Sequence, residues 1–209
     1  MGLRKAVSMP NAPAGWAVPI AVAALALGAA AGGRALRSAL QYERAGIADG
    51  ELWRLVSAHV VHLGGAHLAL NLGGLLLVWL LVGSALTSPQ WLLVLAGSML
   101  AIDAGLWWLM PGLDWYVGLS GVLHGLLMAG VIGGWLQRPR ESLLLAVLLI
   151  AKLGYETVAG AMPATGSAVG GDIITEAHLY GTAGGAAAAL LLRLYTFARR
   201  TTTTSAEHE

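Results

Sequence analysis

Between Arg54 and Asp103 the chain carries no Asp, Glu, Lys or Arg, and three histidines are the only titratable groups there. A water-soluble fold cannot cover itself with such a stretch. The rest of the chain agrees. Charged residues make up 11% of it and apolar residues 57%, against roughly 25% and roughly 45–50% in soluble proteins. The chain therefore reads as an all-α polytopic membrane protein. A net charge of +1 with no basic patch excludes a nucleic-acid binder. The absence of cysteine excludes disulfides, thiolate metal sites and a Cys nucleophile.

Six spans of ~20 residues would use ~120 positions and leave ~90 for loops, too few for a further soluble domain. Breaks at Ser88-Pro89, Pro111-Gly112, Arg138-Pro139-Arg140 and Met162-Pro163 place those spans at about 16–33, 67–86, 91–110, 118–136, 142–161 and 176–197. One membrane domain then covers 1–198, and 199–209, with four threonines, reads as a disordered cytoplasmic tail. The polar segment 34–57, with interspersed Leu36, Leu40, Ile47, Leu52, Trp53 and Leu55, reads as an amphipathic first loop lying in the interface. The tryptophans, mostly at span ends, read as interfacial anchors.

Lys and Arg counts orient the chain. With the N-terminus inside, inner segments hold Arg4, Lys5, Arg138, Arg140, Arg193, Arg199 and Arg200, and outer segments hold Arg34, Arg37, Arg44 and Arg54. Both termini are expected in the cytoplasm. Arg4-Lys5, the apolar run and Ala29-Ala30-Ala31 also fit a cleaved signal peptide. That run is long for a signal, and Pro19 sits early in it, so it is read as the first span. Cleavage would leave the direction of the later spans unchanged.

Polar groups inside spans are expensive and mark function. The second, fourth and sixth spans all enter from the outer side, and each opens with such groups. They are His59, His62, His67 and Asn71 on the second, Gly118-Leu119-Ser120-Gly121 and then His124 on the fourth, and Glu176 with His178 on the sixth. His67/Asn71 and Ser120/His124 are i,i+4 pairs, each on one helix face. Gly121/Gly125 and Gly181/Gly185 are small-xxx-small pairs that let two backbones approach closely.

A serine hydroxyl needs a base within ~3 Å to become a nucleophile. Either His178 or His124 could serve. His178 arrives from another helix and can meet the hydroxyl in line, whereas His124 lies one turn below it on the same helix. Asn71, His67 and the Ser120 backbone N–H are candidate donors for an oxyanion. Taken alone, an early helix serine is more often a cap, and an intramembrane histidine more often a packing residue. Five histidines near one face could also hold a metal or haem. No H-E-x-x-H is present, and carboxylate ligands nearby are scarce, so no metal or cofactor is expected. Lys152 and Glu156, i,i+4 on the fifth span, read first as a self-satisfying ion pair and second as a subsite beside the fifth helix. Asp103 and Asp114 read as markers of the outer end of the third span.

These residues resemble the rhomboid intramembrane serine proteases, and within them the rhombosortase branch. Glu51-Leu52-Trp53-Arg54 resembles the Trp-Arg element of the family's first loop. His62 and His67-Leu-Ala-Leu-Asn71 resemble its second-helix pattern. Gly118-Leu-Ser120-Gly121 resembles its G-x-S-G motif, and Ala177-His178-Leu-Tyr-Gly181 with Gly185 its sixth-helix motif. The resemblance implies a six-helix bundle with Ser120 as nucleophile, His178 as general base, and His67 and Asn71 as oxyanion-hole donors. His124 stands where most rhomboids have a tyrosine packing on the catalytic histidine. It is left open whether His124 only packs, tunes His178 or helps an acceptor other than water.

The branch implies substrates that are exported single-span proteins with a Gly-Gly motif, an apolar helix and a basic tail. It also implies a bacterial inner membrane with the site on the periplasmic side, and leaves room for a small amine acceptor. The competing expectations are a catalytically inactive rhomboid-like chaperone or adaptor, and a metal or haem membrane protein.

Overall fold

Proline and glycine set the helix ends. The computed structural model describes residues 13–163, 166–167 and 171–206. Helix α1 spans Ala17–Ala31, α2 Gly33–Leu40, α3 Arg44–Ala48 and α4 Arg54–Ser57. Helix α5 spans Gly65–Val82, α6 Ser88–Leu109, α7 Ser120–Gly134, α8 Pro139–Ala159 and α9 Glu176–Ala206. Pro89 stands in the first turn of α6, behind a capping box formed by Thr87 and Gln90. Pro139 opens α8, and Gly160, at φ 75°, closes it.

Among the described residues, three helices are long and apolar enough to cross a membrane: Gly65–Ala85, Ser88–Leu109 and Pro139–Ala159. Helices α1 and α7 are shorter apolar helices. At 15 residues α7 is ~22 Å long, less than a ~30 Å hydrocarbon core. Its first residue therefore cannot lie at one membrane face while its last lies at the other. Leu143, Leu144, Val147, Leu148 and Ile150 of α8, and Leu76, Leu77, Leu92 and Leu93 of α5 and α6, are exposed. Apolar surface of that extent belongs against lipid, and the chain is an integral membrane protein.

The core is centred on α7. Val122, Leu126 and Ala129 are buried there against Val94, Ile102 and Leu106 of α6. Trp79 and Trp91 are also buried in this core, with ring centroids 5.3 Å apart. They are packing residues and not the interfacial anchors expected of them.

Helices α7 and α9 meet backbone to backbone. A Cβ built on Gly181 would collide with the Gly121 carbonyl, and one on Gly185 with the Gly125 carbonyl. A Cβ on Gly121 would lie 2.7 Å from the Ala177 carbonyl oxygen. The small-residue pairs seen in the sequence thus form one interface.

The first loop departs from expectation. It is folded back onto the bundle, although Leu52, Trp53 and Val56 remain exposed. Strand β1 (Tyr42–Glu43) pairs antiparallel with β2 (Trp115–Tyr116), Tyr42 opposite Tyr116. Arg44 donates to four carbonyls near the end of α6: Leu106 at 2.6 Å, Met110 at 2.9 Å, Leu113 at 3.0 Å and Trp107 at 3.1 Å. It thereby satisfies acceptors that a helix C-terminus leaves open. Arg54 is buried and donates to Glu51 Oε2 at 2.5 Å and to the Ser38 and Gln41 carbonyls at 2.9 Å. Hydropathy shows an amphipathic segment but not that its arginines are spent on carbonyls.

A second departure lies at the C-terminus, where α9 continues through Ala206. Residues 199–206 are helical, and the disordered tail expected there is not what the fold shows. Threonine costs a helix only a few tenths of a kcal/mol each, and extending an existing helix avoids the cost of nucleation. Residues 207–209 of that expected tail lie outside the described residues.

Gly185→Ala forces a Cβ into backbone that cannot retract, an overpacking cost of about 1–3 kcal/mol. Thermal unfolding in detergent should show that loss. Gly73→Ala, where nothing lies within 4 Å, should melt like the parent. Equal melting of Gly185→Ala and the parent contradicts the α7–α9 contact.

Candidate active site

The turn before α7 is built to present Ser120. Gly118 sits at φ 131°, a conformation open to glycine and costly for other residues. Its N–H donates to the Ala58 carbonyl at 3.0 Å, and its carbonyl accepts from the Tyr116 hydroxyl at 2.9 Å. Ser120 then opens α7, where the first backbone N–H groups have no intrahelical acceptor.

Across the glycine interface, His178 lies in the first turn of α9. Its Nε2 is 2.9 Å from Ser120 Oγ, and its Nδ1 is 2.9 Å from Glu156 Oε2 on α8. Lys152 Nζ donates to the other carboxylate oxygen, Oε1, at 2.6 Å. An ammonium has only donors and an ionised carboxylate only acceptors. The proton between Glu156 and His178 therefore belongs on Nδ1, leaving Nε2 bare to accept the Ser120 hydroxyl proton. The network fixes the tautomer.

His124 does not reach the hydroxyl. Its Nδ1 donates to the Ser120 carbonyl at 2.7 Å, and its ring stacks on His178 with centroids 4.2 Å apart and planes at 12°. It packs on His178 and holds that ring's plane.

The second-helix residues close the opposite wall. The Leu63 N–H donates to His67 Nδ1 at 3.3 Å, so the His67 proton sits on Nε2, the nitrogen beside Gly118. Asn71 spends one N–H on the His67 carbonyl at 3.0 Å, and the second hydrogen of that amide remains. His62 stands edge-on to His67, centroids 4.9 Å apart, and braces it. Ser120, His178, His67, Asn71, Lys152 and Glu156 all line one cavity of about 710 Å³.

The Rhomboid domain profile matches residues 49–195, most of the chain. The chain belongs to the rhomboid family. Rhomboids are usually intramembrane serine proteases. No individual curated protein matches the chain.

Of the residues singled out in this rhomboid's sequence, the fold brings Ser120, His178, His124, Lys152 and Glu156 together at one wall and His67 and Asn71 at the other. Gly118 shapes the turn, Gly121 and Gly181 allow the approach, and His62 stays behind His67. Sequence reasoning missed the Glu156–His178 contact. The i,i+4 spacing to Lys152 gave a sufficient partner within one helix, and no spacing rule links residues 22 positions apart on different helices. Nor did it foresee that Asp103 is buried, with Oδ1 3.3 Å from the fully buried His59 Nε2. His59 in turn packs edge-on against Tyr116, the residue that holds Gly118.

His124, Glu156 and His178 have ligand atoms within 4.8 Å of one another, a group of metal-binding type. The two imidazoles lie nearly parallel, however, so their in-plane lone pairs do not converge on one point. A tetrahedral ion would require one ring to turn.

If the second Asn71 hydrogen serves a developing oxyanion, its loss costs ~10²–10³ in rate. Asn71→Ala should show that loss in kcat while remaining measurable. An unchanged kcat would leave the oxyanion to His67 and the backbone.

Proposed function

We propose that this rhomboid is an intramembrane serine endopeptidase of the rhombosortase branch. Its substrates are exported single-span proteins, cut near a C-terminal Gly-Gly and transmembrane sorting tail. The observation that carries the reading is the 2.9 Å contact between Ser120 Oγ and His178 Nε2 at the wall of the cavity. His124, stacked on His178 where most rhomboids carry tyrosine, supports the branch. The complete Ser120, His178, His67 and Asn71 set argues against an inactive chaperone.

In this reading Ser120 Oγ attacks the scissile carbonyl carbon while His178 Nε2 takes the hydroxyl proton. The oxyanion faces His67 Nε2–H, the remaining Asn71 N–H and the Ser120 backbone N–H. Collapse breaks the C–N bond, and His178 hands its proton to the leaving amine, giving an ester on Ser120. Water then attacks the ester with His178 again as base, releasing the carboxylic acid and restoring the serine. An amine acceptor could attack the same ester. Glu156 has one contact on each oxygen, Lys152 on Oε1 and His178 on Oε2.

Helices α1, α5, α6, α7, α8 and α9 supply the six membrane-crossing segments of this proposal. The Lys/Arg bias supports cytoplasmic termini and a cavity open to the periplasmic side of a bacterial inner membrane.

Co-expression with a reporter ending in Gly-Gly, an apolar helix and a basic tail should yield a truncated product whose intact mass shows a free carboxylate. A mass excess at that terminus means transfer to an acceptor. An uncut reporter, when other single-span proteins are cut, removes the branch assignment. Ser120→Ala and His178→Ala should each abolish cleavage, and the double variant should be no worse, because the two groups act as a unit.

A further inference from the structure

We propose that Glu156 is a positioning residue completing a Ser120–His178–Glu156 relay, with Lys152 as the lock that aims its carboxylate. The proposal rests on the serine-protease reading above. An ion pair that only satisfied itself would need nothing from a neighbouring helix. Here the carboxylate is shared: Oε1 goes to Lys152 at 2.6 Å, and Oε2 reaches across from α8 to α9 and takes Nδ1 of His178 at 2.9 Å. Glu156 and His178 are both buried, and Lys152 is partly exposed at the cavity.

The proton path balances without any further group. When Ser120 Oγ bonds to the carbonyl carbon, its proton moves to His178 Nε2. The ring becomes an imidazolium with N–H on both nitrogens, and Glu156 stays an anion that accepts from Nδ1. A fixed negative charge 2.9 Å from the charge that develops on His178 stabilises the transition state. Lys152 keeps the resting site near neutrality, as a charge inside a membrane requires. It also holds Oε1 on its own side, which leaves Oε2 turned toward His178.

This division of labour predicts an asymmetry that a packing role would not produce. In Glu156→Gln, Lys152 draws the amide oxygen to itself, and the amide NH₂ then faces His178 Nδ1. That favours the tautomer with hydrogen on Nε2, which cannot accept from Ser120. Removing the lysine as well lets the amide turn and present its oxygen to Nδ1–H again.

The test measures kcat and KM in proteoliposomes on a single-span reporter ending in Gly-Gly, an apolar helix and a basic tail. Glu156→Gln should lower kcat by about 10²–10⁴-fold with KM little changed, on the scale of orienting carboxylates in serine hydrolases. Lys152→Met placed on top of Glu156→Gln should raise kcat by about tenfold or more, and Glu156→Asp should retain part of the activity. If Glu156→Gln does not fold, Glu156→Asp and Lys152→Met carry the test, and parental kcat in both overturns the proposal. Parental kcat in Glu156→Gln, with Ser120→Ala inactive, overturns this inference alone. A Glu156→Gln loss that Lys152→Met does not relieve overturns the lock. Full activity in Ser120→Ala overturns the protease reading itself.

Discussion

With Gly121, Gly125, Gly181 and Gly185 at their interface, α7 and α9 approach so closely that a Cβ on Gly181 or Gly185 would run into the carbonyl of Gly121 or Gly125. Lipid gives two apolar helices no hydrophobic reason to associate, so close van der Waals packing must hold them. That packing also sets the chemistry. A serine and a histidine are short side chains, and a hydrogen bond of 2.9 Å between them requires their helices to be this close. The same glycines that make the bundle cohere therefore make Ser120 and His178 neighbours.

Around that contact, several buried polar groups find partners on other elements. Arg44 gathers the free carbonyls at the end of α6, and Arg54 gathers those of the first loop. The β1–β2 pairing then ties this loop to the turn that carries Gly118 and Ser120. Lys152, Glu156 and His178 form a second chain in which each charge faces its complement. In a low-dielectric medium an unpaired member would be costly, so these networks hold their side chains in one arrangement. A hydroxyl and an imidazole held in place ahead of reaction need little reorganisation during it.

Much of this was legible in the sequence, for reasons that differ from residue to residue. Uncharged runs and Pro/Gly breaks fall near the helix ends except at the C-terminal end of α9, because each backbone group in lipid must be satisfied within its own segment. His67 and Asn71 on one helix, and Ser120 and His124 on another, fall on shared faces by i,i+4 spacing alone. What was not legible depends on contacts between elements. The Glu156–His178 bond, the burial of Asp103 against His59 and the capping of α6 by Arg44 each join residues with no periodic relation. The burial of Trp79 and Trp91 is of the same kind, since composition cannot separate a core tryptophan from an anchoring one.

The central claim is that Ser120 is a nucleophile activated by His178. It is tested most directly by exposing the membrane-embedded protein to a fluorophosphonate and mapping the adduct by peptide mass. The account predicts a single phosphonyl adduct on the peptide containing Ser120, lost in His178→Ala. An unlabelled Ser120 in a protein that still cleaves its substrate, or an adduct on another residue that accounts for the lost activity, would contradict it.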